Sequence, residues 1–530
     1  MRKLLPPLFL SISAAWAQSD CDAIRARLAE EKPCVDVANR RLFNHTVDPL
    51  PTTKGVEFLG SVPTKTSREV TSSILSIGYE TLDRKTFDPK WTFPLVGRLG
   101  VKHARCQTGW NRTETVKGRY DFAWLDEVID GLAAEGIRTW LSVGFGNPLY
   151  TPCPKFDEAI RRAKEKGTIV PGWARGWVGE SPWYHGPEAM EGWLAYVRAL
   201  ARHTRGRVTV YELWNEPEFF WCYRNEKAEK LYGIPKCAED FTAFARVTAD
   251  AIRRENPEAR FAFNLAYASS AWMPALRDAG IGDVVDIFCY HGYGRTVEET
   301  PRSIVAQAKA LFRKKDGTPV AVWQGESGRP TDKSRLFAFP TPFAQAKFIA
   351  RRVLTDFAEG AELSNVFTVT DFLAYYEDGS DQYYGIIDGK THQPKLGYYT
   401  LQALAGLFDG LERAPEYNCI FWTMDNRTFT SQEPYAVQRV ALKRRGIPLF
   451  AWWRAEHIDI STAPLLGSLR MVTEAKESPI RNPILIDPVR RTVWDVRGCF
   501  SRGDEGIDIL SPAWALDYPL ILTDLMIFKD

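Results

Sequence analysis

Between residues 71 and 410 the hydrophobic pattern switches repeatedly between two periods. Short runs with apolar residues at alternate or successive positions predict strands, and the stretches between them, apolar at every third or fourth position, predict helices. Thus "SSILSIGYE" (72–80) and "GVKHARCQ" (100–107) read as strands. "FAWLDEVIDGLAAEGI" (122–137) reads as a helix with Phe122, Leu125, Val128, Ile129 and Leu132 on one face. "TWLSVGFG" (139–146) is a strand, and "MEGWLAYVRALARH" (190–203) a helix that aligns Trp193, Leu194, Val197 and Leu200. "VTVYELWNEP" (208–217) is then a fourth strand, stopped by Pro217. The alternation continues through "RFAFNLA", "VVDIFCYHGYG", "PVAVWQGESG" and "LSNVFTVTDF", separated by helical stretches that end in signals such as Gly360. Eight strands interleaved with helices over this length predict an α/β fold, a (β/α)₈ barrel enlarged by loops. A doubly wound open sheet fits less well, because no phosphate loop follows the first strand.

After Gly410 the period changes to two. "YAVQRVALKRRGIPLFAWWRAE", "NPILIDPVRRTVWDV" and "DYPLILTD" predict short antiparallel strands and a C-terminal β-sandwich. The organisation read from the chain is a signal segment over 1–17, an N-terminal segment over 18–70 able to lend a strand to the sandwich, the barrel over 71–410 and the sandwich over 411–530. "MRKLLPPLFLSISAAWA" carries a basic start, an apolar stretch and an Ala15-Trp16-Ala17 cleavage pattern, so the expectation is a secreted or periplasmic protein. No apolar run is long enough to span a bilayer, and no membrane insertion is expected.

Charge narrows the partners. Sixty-eight basic and 66 acidic residues nearly cancel, and removing Arg2 and Lys3 leaves formal neutrality, which gives no reason to expect nucleic acid as a partner. Among the nine cysteines, export would permit the pairings Cys21–Cys34, Cys222–Cys237 and Cys419–Cys499, with Cys106–Cys153 as a fourth; Cys289 reads as a buried thiol. No metal-ligand spacing, P-loop, dinucleotide fingerprint or nucleophile elbow occurs, so neither a metal nor a cofactor is expected.

In a barrel of this kind functional groups gather at the C-terminal ends of the strands. Glu216 ends the fourth strand and Glu326 the seventh, on opposite sides of the mouth. Each alone reads as a loop or turn acid; together they are the two carboxyls that glycosidic-bond cleavage requires, one holding a proton and one ionised. Aromatic residues crowd the loops that follow the third, fourth and eighth strands: Trp173, Trp177, Trp183 and Tyr184, then Phe219, Phe220, Trp221 and Tyr223, then Tyr375, Tyr376, Tyr383 and Tyr384. Ring faces stack on sugar C–H surfaces, although any single ring reads equally as packing.

"WNEP" and the seventh-strand glutamate resemble clan A glycoside hydrolases, and more specifically glycoside hydrolase family 39, that of β-xylosidases and α-L-iduronidases. The resemblance spans roughly 72–408 and includes "ARCQ" (Arg105, Gln107), "HGY" (His291, Tyr293), "TD" (Thr370, Asp371), "YGIID" and "PKLGYYTLQ". It implies a retaining hydrolase acting on oligo- or polysaccharides, with Glu216 as acid/base and Glu326 as nucleophile. Asn215 would hydrogen-bond the sugar 2-hydroxyl, Tyr293 would steady Glu326, and Arg105, Gln107, His291 and Asp371 would complete the substrate site. Two positions depart from the family's wording: Gln107, where members often carry His, and the phrase "WQGESG". A binding protein on a retired barrel and a transglycosylase are the alternative readings. No cation neighbours Glu216 in sequence, so it is expected to stay protonated near neutral pH.

Overall fold

The computed structural model describes residues 8–30, 48–176, 178–220, 230, 232–266, 271–293, 297–332, 340–423, 437–456, 458, 463–473, 478–502 and 507–529. They form two compact units: residues 65–398, and a second that combines residues up to 64 with residues 399–530.

The first unit is a closed parallel barrel of eight strands. After a strand β1 (Glu57–Ser61) in the other unit, the barrel runs β2 (Leu75–Tyr79), β3 (His103–Thr108), β4 (Arg138–Val143) and β5 (Val210–Leu213), then β6 (Arg260–Leu265), β7 (Ile287–His291), β8 (Ala321–Ser327) and β9 (Ser364–Val366). β9 closes on β2 with Leu75 opposite Ser364 and Ile77 opposite Val366. The eight predicted strands are these eight. Helices cover the outside, so the strands are buried on both faces and read as apolar runs. Trp140, Val210, Ala262, Ile287, Cys289 and Trp323 pack together in the interior.

The helices form where the sequence pattern predicts, with shifts at their edges. Ala123–Ala134 buries Leu125, Val128, Ile129 and Leu132, and begins where the Asp121 carboxylate accepts from the Ala123 amide. Pro187–Thr204 buries Trp193, Val197 and Leu200, but it turns Tyr196 inward and leaves Leu194 half-buried. Pro342–Glu359 is capped by Thr341 Oγ1, which accepts from the Ala344 amide at 3.0 Å, and stops at Gly360 with φ 91°.

The second unit is antiparallel. A seven-stranded sheet orders β1, β16 (Thr492–Asp495), β15 (Pro483–Asp487), β19 (Leu520–Asp524), β13 (Ile447–Arg454), β12 (Val437–Arg444) and β10 (Leu411–Arg413). A four-stranded sheet orders β11 (Tyr417–Thr423), β14 (Leu465–Thr473), β18 (Ile507–Ala515) and β17 (Phe500–Arg502), and the pair makes a β-sandwich. β1 enters the larger sheet by pairing with β16, Ser61 opposite Thr492. A helix covers Leu8–Glu30. No helix among the described residues is long and apolar enough to cross a membrane.

Two expected disulfides do not form. Cys419 and Cys499 are separate buried thiols, with Cys499 Sγ donating to the Lys54 carbonyl at 3.2 Å, and Cys106 and Cys153 are likewise unbridged. Cys106 is fixed inside the barrel wall on β3, whereas Cys153 precedes the outer helix Pro154–Lys166; spacing along the chain carried no information about these positions. Cys34 and Cys222, and with them the other two pairings, lie outside the described residues. Cys289 is a buried thiol within β7.

Candidate active site

β5 ends in a constrained turn that aims Glu216. Trp214 and Glu216 both take left-handed φ values, 60° and 45°, a conformation costing a side-chain-bearing residue on the order of 1–3 kcal/mol. Asn264 of β6 holds the turn from both ends: its Oδ1 accepts from the Glu216 amide at 2.7 Å, and its Nδ2 donates to the Trp214 carbonyl at 3.0 Å. On the opposite wall the β8–β9 ladder shifts register between Gln324 and Ser327. Such an irregularity re-aims a side chain, and Glu326 lies within it.

The two carboxyls converge. One oxygen of Glu216, one of Glu326 and a ring nitrogen of His291 all lie within 4.8 Å of one another. Glu326 accepts from Arg105 Nη1 at 2.6 Å through Oε2 and from the Tyr293 hydroxyl at 2.9 Å through Oε1. Burial and the Glu326 charge hold the Tyr293 phenol far above its ordinary value, so it keeps its proton and donates. Glu216 Oε1 lies 2.9 Å from His291 Nδ1. The fold therefore supplies the cation that sequence spacing did not, because the ends of β5 and β7, two strands apart, converge on the same mouth. Burial would depress His291, but the Glu326 charge, the nearby Glu212 carboxyl and the hydrogen bond to Glu216 outweigh it and raise it to about 10.

Arg105 is the hub beneath. Buried on β3, it donates through Nε to Glu212 at 2.8 Å, through Nη1 to Glu326, and through Nη2 to Asn215 Oδ1 at 3.0 Å. Burial alone would raise Glu212, yet Arg105 and His291 hold it below the usual carboxylate range. The same interactions hold Arg105 well above its own ordinary value against desolvation. Glu80, at the end of β2, is a further buried acid 3.5 Å from Arg105 Nη1. Its burial, with the Glu326 charge, raises it to about 8 against the pull of Arg105.

These groups lie at or below the floor of a cleft of about 450 Å³. Of the residues expected to form the site, Glu216, Glu326, Asn215, Gln107 and Tyr293 line it; Arg105 and His291 lie behind and touch the lining carboxyls. Gln107 turns its Oε1 to the Thr81 amide at 3.0 Å. Asp371 stands apart. It binds Lys395 at 2.7 Å and the amides of Gly385 and Gly389, closing the barrel's last loop rather than the cleft, and burial raises it to about 6. Trp173, Phe219, Tyr375, Tyr376 and Tyr384 wall the cleft. Trp183 instead packs edge-on against Phe244, Tyr184 stacks on Tyr232, and Tyr383 reaches Asp381. Trp177, Trp221 and Tyr223 are outside the described residues.

Glu216, His291 and Glu326 have the grouping of a cation site. Glu326 already faces the Arg105 guanidinium and Glu216 the His291 ring, so a metal ion would have to displace the guanidinium and take the place of a proton on the ring. Sequence reading missed Glu80, Glu212 and Asn264. An acid inside an apolar barrel strand is itself a signal, since burial of an unpaired charge is prohibitive.

A family model described as β-galactosidase, glycoside hydrolase 42, matches residues 89–232. Over 114 residues the chain is 28% identical to the β-galactosidase BbgII of Bifidobacterium bifidum, a stretch that is 22% of this chain and 16% of that relative. The chain thus spans about a sixth of the curated relative it matches. Among solved structures, a family 39 glycoside hydrolase from Bacteroides cellulosilyticus WH2 superposes with a TM-score of 0.58 at 17% identity, covering 87% of this chain and 83% of that one. The resemblance to clan A glycoside hydrolases, and to family 39 among them, therefore holds at the level of the fold.

Proposed function

We propose that the protein is a secreted or periplasmic retaining glycoside hydrolase that cleaves O-glycosidic bonds of oligo- or polysaccharides by double displacement. The observation that carries this reading is the convergence of Glu216 and Glu326, from strands on opposite sides of the barrel, to within 4.8 Å at one cleft. Retaining enzymes hold their carboxyls about 5–5.5 Å apart, and inverting enzymes about 6.5–9.5 Å apart to admit a water. Export rests on the pattern of residues 1–17.

In the first step Glu326 attacks the anomeric carbon, and the bond to the leaving oxygen breaks as that oxygen takes a proton from Glu216, which His291 Nδ1 meets at 2.9 Å. Arg105 and Tyr293 stabilise negative charge on Glu326 before attack and again when it leaves. In the second step Glu216 draws a proton from water, whose oxygen displaces Glu326 from the anomeric carbon. Asn215, steadied by Arg105, offers its amide N–H₂ to a sugar hydroxyl, and the aromatic walls supply stacking faces.

Glu216→Gln should lower kcat/KM about 10²–10⁴-fold on glycosides with poor leaving groups, and much less on dinitrophenyl glycosides. Equal loss on both classes would remove Glu216 from the proton-donor role. Proton NMR of the first-formed product should give the anomer of the substrate; the opposite anomer would rule out double displacement. A wild type that binds oligosaccharide but turns over none of an aryl glycoside panel would make this a binding protein. Predominant transfer to added acceptor sugars would make it a transglycosylase.

A further inference from the structure

We propose that Glu80 is a third working carboxyl of this site, a neutral acid that donates its O–H to a hydroxyl of the sugar bound over Glu326. The proposal rests on the glycoside reading of the cleft and adds to it a residue that the motifs did not mark.

Glu80 lines the cleft yet is only 1% exposed. Its side chain folds back over Gly78, where an added Cβ would lie 2.1 Å from Glu80 Oε2, so the strand carries a glycine where the carboxyl needs room. All its side-chain hydrogen bonds to the described residues are long. Oε1 is 3.5 Å from both Arg105 Nη1 and Asn365 Nδ2, and Oε2 is 3.3 Å from Thr368 Oγ1. A buried carboxylate anion would demand shorter, stronger donors.

Arg105 Nη1 and Asn365 Nδ2 each make a shorter bond elsewhere, Asn365 Nδ2 donating to the Gly325 carbonyl at 2.9 Å, and each reaches Glu80 only with its second N–H, at 3.5 Å. Arg105 Nη1 lies 2.6 Å from Glu326, and the remaining guanidinium nitrogens serve Glu212 and Asn215. Thr368 Oγ1 is closer to the Gly78 carbonyl, at 2.9 Å, which can only accept; the hydroxyl proton goes there, and a lone pair faces Glu80. A proton on Glu80 Oε2 satisfies that lone pair, and this 3.3 Å contact is weak enough to give way to a sugar hydroxyl. The charge balance agrees: Glu212 and Glu326 face both the Arg105 guanidinium and the His291 ring, and Glu80, the most distant of the three from the guanidinium, is the one to stay neutral. Among the described residues, Cys106 of β3 also feels the Glu80 charge, and Arg84 lines the same cleft. Burial raises Glu80 to about 8, so it carries its proton at neutral pH.

The test compares wild type, Glu80→Gln and Glu80→Ala on a panel of 4-nitrophenyl glycosides from pH 5 to 9.5. Glu80→Ala should lose about 10- to 100-fold in kcat/KM, the effect of leaving a buried hydroxyl unpaired, while Glu80→Gln, which keeps a donor, stays within about tenfold by the same scale. Wild-type kcat/KM should fall through a limb near pH 8 that Glu80→Gln lacks. The same raised value makes folded wild type lose stability as pH rises from the ordinary carboxyl range through about 8. The unfolding midpoint of Glu80→Gln relative to wild type should therefore climb between pH 5 and 8. An unchanged alkaline limb, a flat relative midpoint, or wild-type kcat/KM in Glu80→Ala overturns the proposal. If wild type turns over nothing, the hydrolase reading fails separately, and calorimetry of the uncleaved glycosides decides: weaker binding by Glu80→Ala supports the proposal, and equal binding, or no binding by any form, overturns it.

Discussion

Glu326→Ala should abolish turnover of natural-type substrates, with kcat falling on the order of 10⁶-fold, the scale seen when a covalent nucleophile is removed. The reason is geometric. Glu326 lines the cleft and accepts from two close donors that cannot take its place, Arg105 at 2.6 Å and Tyr293 at 2.9 Å. Glu80 is too far from Arg105 and Glu216 is engaged with His291, so neither neighbour can substitute as the attacking group. Alanine also leaves a gap beside the anomeric carbon, and a small anion such as azide can enter it. Azide should then restore part of the rate on an activated aryl glycoside and yield a glycosyl azide of opposite anomeric configuration to the substrate. Unmodified Arg105 and Tyr293 would help seat that anion. The measurements are steady-state rates with and without azide and product NMR. Full activity in Glu326→Ala, or rescue with retained configuration, would exclude Glu326 as nucleophile and leave the cleft without one.

How much of this was readable beforehand depends on which physical effect placed each residue. Strand and helix identity followed from local period, and local period survives into the fold: the eight runs became β2–β9. Glu216 and Glu326 were legible because barrel topology alone sends strand ends to one mouth. Glu80 ends a barrel strand in the same way, and the same logic applied to "SIGYE" would have found it. Contacts across strands were harder. His291 beside Glu216, from strands two apart, and Asn264 gripping the turn at Trp214, from the next strand, depend on strand ends meeting at the mouth with the right register, which no one-dimensional spacing encodes. Asp371 was drawn to the site by its position in a family-like phrase, yet a lysine 24 residues later claimed it. Leu194 and Tyr196 exchanged the expected burial because Tyr196 stacks against Trp110 inside the helix layer, a partner invisible from the helix's own pattern.

Arg105→Met should be the most destabilising single change in the site, about 3–5 kcal/mol, the usual cost of removing one partner of a buried ion pair. Burial is complete at this position, and the side chain satisfies Glu212 and Glu326 at once, with Asn215 as a third acceptor. Methionine fills comparable volume, so the loss comes from charge and hydrogen bonding rather than from a cavity. Two carboxylates would face each other in a site from which water is largely excluded, and Asn215 would lose the donor that fixes its Oδ1. Arg105→Lys keeps the charge but not the fork, reaching one acid well and the others poorly; an intermediate loss is expected. Adding Glu212→Met to Arg105→Met should recover part of the stability, since a matched apolar pair leaves one fewer uncompensated charge. Urea unfolding at pH 7 would measure all three. An Arg105→Met midpoint equal to wild type would mean that the acids of this barrel floor do not depend on a central cation. The electrostatic basis for Glu326 as an attacking anion, and for Glu80 as the acid left neutral, would fall with it.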